Sequence, residues 1–222
     1  MENQLTEKES LELIGKMINS AKNNLQKGTG KIFLLWGYLV AIISMAVFIL
    51  LILLPGEVKY NAYSLYFLMA LGAPVHWKLI KQKEHQQLMK TYIERVMDFV
   101  WIAFSVSILT IVSGMLLSSI LGLPLFTDVA PAYEFLRWYQ WSLMTPFMLC
   151  LYGFALFVSG RAYRFNPLAT GGIVCWISTF LLIILCHHPH LLKIQQAVLF
   201  ISVIFGFIIP GHLLRKKENG DV

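Results

Sequence analysis

The chain has 222 residues, of which 57% are hydrophobic and only 14% charged, with a mean hydropathy of +0.66 and a formal net charge of +6. A soluble domain of this length carries about 25% charged residues, so the composition excludes an ordinary soluble fold and points to a polytopic membrane protein. The three cysteines, Cys150, Cys175 and Cys186, form no CxxC pair, which excludes a disulfide framework or a zinc knuckle.

The first 30 residues are polar, and no cleaved signal peptide is expected: the first apolar run is too long for an h-region and lacks an A-x-A site. Within this stretch "TEKESLELIGKMINSAKNNL" predicts an amphipathic helix over residues 5–26. Thr6 and Glu9 make a capping box, and Gly28 and Gly30 punctuate the end. Leu11, Ile14, Ile18, Ala21 and Leu25 recur at three and four, giving one apolar stripe. Two destinations fit it. One is the inner leaflet, with Lys16 and Lys22 near lipid phosphates; the other is a protein partner or a second copy of the same helix. Glu7, Glu9 and Glu12 weigh against lipid in the first half.

A crossing helix needs about 20 mainly apolar residues. Six stretches qualify, at 32–54, 62–80, 96–121, 135–159, 168–186 and 195–214. The expected fold is therefore all-α: a polytopic bundle of six transmembrane helices in three hairpins over residues 31–214. The cytoplasmic amphipathic helix over 1–30 precedes it and a tail over 215–222 follows. Pro74 and Pro210 interrupt the second and sixth spans near their ends, and Pro146 is expected to kink the fourth.

Fifteen of the 18 basic residues fall on one side of this threading; Lys59, Arg137 and Lys193 fall on the other. The bias predicts N-in and C-in. Aromatic residues suggest two girdles, with Trp36, Trp77, Trp101 and Trp176 towards inner ends and Tyr60, Tyr63, Tyr133, Trp138, Tyr139 and Trp141 towards outer ones.

Chemistry-bearing residues are sparse. No ionisable residue is expected at mid-depth: Asp98 lies near Arg95 and the inner interface, while Glu134 and Arg137 flank the outer start of the fourth span. That argues against ion-coupled transport and against hydrolysis by paired carboxylates. Small and hydroxyl residues run through the third span (Ser105, Ser107, Thr110, Ser113, Gly114, Ser118) and the fifth (Gly171, Gly172, Ser178, Thr179), where close helix packing is the default explanation.

Two histidine groups are metal candidates. "GAPVHWKLIK" and "IIPGHLLRKK" share Pro-x-His followed by basic residues, a faint sign of duplication, and would bring His76 and His212 together if the hairpins packed symmetrically. "ILCHHPHLLK" carries His187, His188 and His190 beside Cys186 in the expected outer turn between the fifth and sixth spans. Pro189 favours an extended His188, which offers two convergent ligands rather than a closed site. No catalytic, cofactor-binding or metal residue is assigned and no cofactor is expected. Walker, HExxH, GxSxG and nucleotide signatures are missing from the sequence. The dispersed basic residues give no nucleic-acid footprint.

The blocks "ESLELIGKMINSAKNNL", "FLLWGYLV", "VSGRAYRFNPLATGGIVCWI" and "IIPGHLLRKK" together resemble a family of uncharacterised bacterial inner-membrane proteins. The resemblance implies a bacterial cytoplasmic membrane and about six spans behind an N-terminal helix; it implies no activity. The leading expectation is a non-enzymatic membrane component, a scaffold or regulator. Its cytoplasmic helix would meet a partner, another subunit or the leaflet. A passive channel or transporter lined by Ser, Thr and Gly is the alternative. A metal-handling or enzymatic role through the histidines is a third.

Overall fold

The computed structural model describes residues 11, 12, 15, 28–86, 92–125 and 141–218. Every element among these residues is helical: α1 (Thr29–Leu53), a 3-10 helix (Gly56–Leu71), α2 (Gly72–Gln86), α3 (Tyr92–Leu125), α4 (Met144–Ala162), α5 (Asn166–Ile184) and α6 (Leu191–Glu218). Five of them (α1, α3, α4, α5 and α6) are long and apolar enough to cross a membrane. The chain is an integral membrane protein by that criterion. Apart from Leu11, Glu12 and Gly15, the expected amphipathic helix lies outside the described residues, as do residues 126–140, where the fourth span was expected to begin.

The stretch expected to be the second span, 62–80, is not one α-helix. The backbone winds as a 3-10 helix over Gly56–Leu71 and relaxes to α-helix only at Gly72. The sequence explains the choice. At three residues per turn, residues three apart eclipse, and Tyr60, Tyr63, Tyr66 and Met69 then fall on one line. Tyr63 and Tyr66 stack with ring centroids 6.3 Å apart and planes at 23°. Tyr63, Tyr66 and Met69 pack with Ala62 against Ile43, Val47 and Leu51 of α1. An α-helix would fan these rings over about 60° per step of three residues and break the row.

α1 is the hub. It packs against the 3-10 helix, α2 and α6, while α4 and α5 form an antiparallel pair seated on α6, and α3 lies against α4 at the edge. The core between them is filled by Leu149, Leu156, Leu168, Leu182, Val203 and Phe207, with a run of edge-to-face and tilted aromatic contacts through Trp101, Phe33, Phe207, Tyr152 and Phe104. Trp101 is therefore a packing residue, not part of a girdle. So is Trp176, whose ring lies on Phe157 and whose indole N–H donates to the Cys150 carbonyl.

Lipid tails are as apolar as leucine, so close approach at small residues must hold such helices together. α4 and α5 meet at Gly153, Gly160, Ala169 and Gly172; a Cβ on Gly172 would stand 2.7 Å from the Gly153 carbonyl oxygen. The turn between them closes in a Schellman arrangement. Phe165 N–H donates to Gly160 O and Arg164 N–H to Arg161 O, with Arg164 itself left-handed at φ 50°. Pro167 then fits the first turn of α5, where no N–H is missed.

Two prolines redirect hydrogen bonds rather than simply bending spans. Pro146 sits in the first turn of α4, three residues after a break at Leu143, so the expected mid-span kink is instead a helix start. Having no N–H, Pro146 leaves the Ser142 carbonyl without its partner four residues on. Gln195 of α6, 2% exposed, supplies the missing donor from its Nε2. In α6, Pro210 likewise cannot bond Gly206 O, and the helix widens into one π turn over Ile204–Ile208, closed by Ile209 N–H to Ile204 O. Gly206 there lies against Gly171: a Cβ on Gly171 would meet Gly206 Cα at 2.7 Å.

The Gln195 bond gives a sharp test. Gln195→Leu should cost about 1 kcal/mol by removing a buried hydrogen bond, and Pro146→Ala should restore part of that loss by offering an N–H to the same carbonyl. A double-mutant cycle of unfolding midpoints in detergent reads the coupling. Additive effects would refute the shared carbonyl.

Candidate functional site

The polar side chains of the described residues gather at the end of the bundle where α1 begins and α6 finishes. Lys83 of α2 reaches Glu94 of α3 at 3.4 Å and donates to Thr29 Oγ1 of α1 at 3.1 Å. Glu94 is only 3% exposed, so the ion pair is largely removed from water on the carboxylate side. Burial, with the carboxylates of Glu94 and Asp98 adding to it, holds the Tyr163 phenol well above its ordinary value, so it stays protonated. Across the node Glu218 accepts from Gly30 N–H at 2.9 Å. That carboxylate meets the positive end of α1, a favourable place for an anion. Five elements are thus tied by one small network: α1, α2, α3, α6 and the α4–α5 turn.

Asp98 had been read as an interfacial charge, and the structure gives it a role beside Tyr163. Glu94 and Glu218 went unremarked in the sequence. Each lies at a helix end next to basic residues, which by itself looks like solvated surface; only tertiary packing buries Glu94.

Both Pro-x-His motifs deliver their histidine to α1. Trp36 Nε1 donates to His76 Nδ1 at 3.2 Å, and the Tyr38 hydroxyl lies 2.7 Å from His212 Nε2. Trp36 and Tyr38 are two residues apart, hence about 200° apart around α1. The two imidazoles flank opposite sides of that helix and do not meet as a ligand pair.

The outer histidines occupy the tight α5–α6 turn. Cys186 Sγ lies 3.0 Å from His187 Nδ1, His190 N–H donates to His188 Nδ1 at 3.1 Å, and the His188 and His190 rings are 5.7 Å apart. One nitrogen of His188 is thereby occupied by its own turn. Among the described residues no three His, Cys, Asp or Glu side chains converge as a metal site. Glu134, Arg137 and Asp128 lie outside the described residues.

The small and hydroxyl residues divide by helix. On α3, Ser105, Ser107 and Thr110 donate to carbonyls four residues back and Ser113 to the one three back, and nothing stands within 4 Å of a Cβ on Gly114. On α5, Gly171, Gly172 and Ser178 are buried against neighbours, with Ser202 of α6 donating to Ser178 at 2.8 Å. Near the start of α6, Gln196 accepts from Tyr66 at 2.6 Å. These groups bond within or between helices. The arrangement can lock a bundle.

No protein family, curated protein or solved structure matches the chain.

Proposed function

We propose that the protein is a six-crossing component of the bacterial cytoplasmic membrane, N-in and C-in, and that it acts as a non-enzymatic scaffold or regulator. Its contact to a partner or a second copy runs through residues 5–26, and residues 31–214 serve as the anchor. The observation that carries this reading is the filled interior. Leu149, Leu156, Leu168 and Leu182 are fully buried, and Ser105, Ser107 and Thr110 bond carbonyls of their own helix while Ser202 bonds Ser178. Such a bundle suits anchoring better than passage of a solute.

Support for a sixth crossing comes from pitch. Sixteen residues of 3-10 helix at about 2.0 Å each extend about 32 Å, which matches a hydrocarbon core of about 30 Å. Support for orientation comes from the concentration of Lys and Arg at the end that holds Lys83, Arg215 and Lys216.

Two experiments test the reading. In a background without the native cysteines, single cysteines at Lys59 and Lys193 should label from outside, and ones at Ser10 and Asp221 only after permeabilisation. Labelling of Ser10→Cys and Asp221→Cys from opposite sides would leave five crossings and sink the topology. Deletion of residues 1–28 should abolish co-purification of the partner while leaving the protein in the membrane; an unchanged partner set would overturn the scaffold role.

A further inference from the structure

A long apolar groove runs along the outside of the bundle between α1 and α6, with a volume of about 590 Å³. Its floor is Ala41 and Ala46, and its walls include Ile42, Ile49, Phe200 and Ile204. Two features shape it. The small alanines let the floor recede, and the π turn at Ile204–Ile208 offsets the wall that α6 supplies. At one end the helices close up: a Cβ on Gly37 would meet Phe207 Cβ at 2.9 Å and Ile208 Cγ1 at 3.0 Å. From Tyr38 to Ile49 the groove spans eleven residues of α1, about 16 Å.

The groove is polar at only one end. There the Tyr38 hydroxyl meets His212 Nε2 at 2.7 Å. Along α6, His212 follows Ile208 by about one turn, and Lys216 follows His212 by about another. Lys216 and its neighbour Arg215 are exposed, and Lys31, exposed on α1, lies two turns before Tyr38 on the same side of that helix. Glu218 bonds Gly30 N–H at the start of α1 and answers Lys31 and Lys83. The order along the groove is apolar slot, hydroxyl and imidazole, then the exposed cations Arg215 and Lys216.

We propose that this groove is a binding site for one anionic glycerophospholipid. An acyl chain lies in the Ala41–Ala46 slot, the ester region meets Tyr38 and His212, and the phosphate meets Arg215 and Lys216. Charge complementarity selects this occupant: a helix of a second copy would fill the slot and leave these two exposed cations unanswered. A zwitterionic lipid would present a cation of its own to them. The site adds lipid recognition to a protein read as a membrane anchor, and it does not depend on residues 5–26.

The test is native mass spectrometry of the full chain, stripped of lipid in mild detergent and titrated with phosphatidylglycerol or phosphatidylcholine of identical acyl chains. The wild type should retain one phosphatidylglycerol more tightly than phosphatidylcholine. Arg215→Gln/Lys216→Gln should weaken phosphatidylglycerol by about thirtyfold, at about fivefold per charge, and leave phosphatidylcholine unchanged. Ala46→Phe, which fills the slot, should abolish retention of both, whereas Ile102→Phe on the exposed side of α3 should change neither. Equal retention of the two lipids by the wild type would overturn the proposal, as would phosphatidylglycerol binding indifferent to both groove variants. A dimer that Ala46→Phe dissociates would overturn it in favour of a second copy.

Discussion

A Lys83→Met chain is expected to lose about 3 kcal/mol of stability, read as an earlier midpoint when the detergent-solubilised protein is titrated with SDS. The loss does not come from the missing attraction alone. Lys83 holds Glu94 at 3.4 Å, and the Glu94 side chain is 4% exposed against 18% for Lys83. Removing the ammonium takes the cation from a buried carboxylate, which in other buried pairs costs about 3–5 kcal/mol. The lower end applies because Lys83 keeps some access to water. The companion variant separates the two contributions: Lys83→Met/Glu94→Leu removes both charges and should recover most of the loss. A Lys83→Met midpoint equal to wild type would mean that Glu94 is adequately served by other groups, and the node would not be the tie between elements described above.

Gly160→Ala should be the most damaging single methyl group in the bundle, costing about 3 kcal/mol or more. Ordinarily Gly→Ala in a helix stabilises by about 0.4–1 kcal/mol, because alanine loses less conformational freedom on folding. At Gly160 the sign reverses. The new Cβ would run into the backbone N and Cα of Ala169 across the α4–α5 contact. Backbone cannot swing aside as a side-chain end does, so the helices must separate along their packed length. Gly114→Ala on α3 is the internal control, since open space surrounds that position, and it should be neutral to slightly stabilising. Thermal midpoints of the two variants measured side by side decide the matter. A Gly160→Ala protein as stable as wild type would show that the close approach is not what holds the hairpin.

Hydropathy made the apolar helices legible. α1, α5 and α6 start and stop within a few residues of the stretches at 32–54, 168–186 and 195–214, because a lipid-facing helix needs only length and apolarity. Pitch was not legible by that route. A window average counts residues and is blind to whether they advance 1.5 or 2.0 Å each. The tyrosines at 60, 63 and 66, with Met69, did carry the signal as a strict spacing of three. The prolines were visible, but their consequence was not: only the fold brings Gln195 to the Ser142 carbonyl, to which Pro146 has no N–H to offer.

The polar node was the least legible feature. Asp98, Glu134 and Arg137 were read as interfacial charges, and nothing in that reading pointed to Glu94, which is dry. Its burial comes from α2, α3 and the α4–α5 turn converging, which no local pattern encodes. The histidine motifs were not legible: a symmetric packing would have brought His76 and His212 together, whereas each docks separately on α1. That they dock from opposite sides follows from the two-residue offset between Trp36 and Tyr38.

The bond from Gly30 N–H to Glu218 joins residues 188 apart in the chain. Glu218 is therefore made long after Gly30. At about 5–20 residues per second, the start of α1 waits about 10–40 s for this carboxylate. The first helix is thus completed by a group from the far end of α6, and a substitution at Glu218 acts on the start of α1.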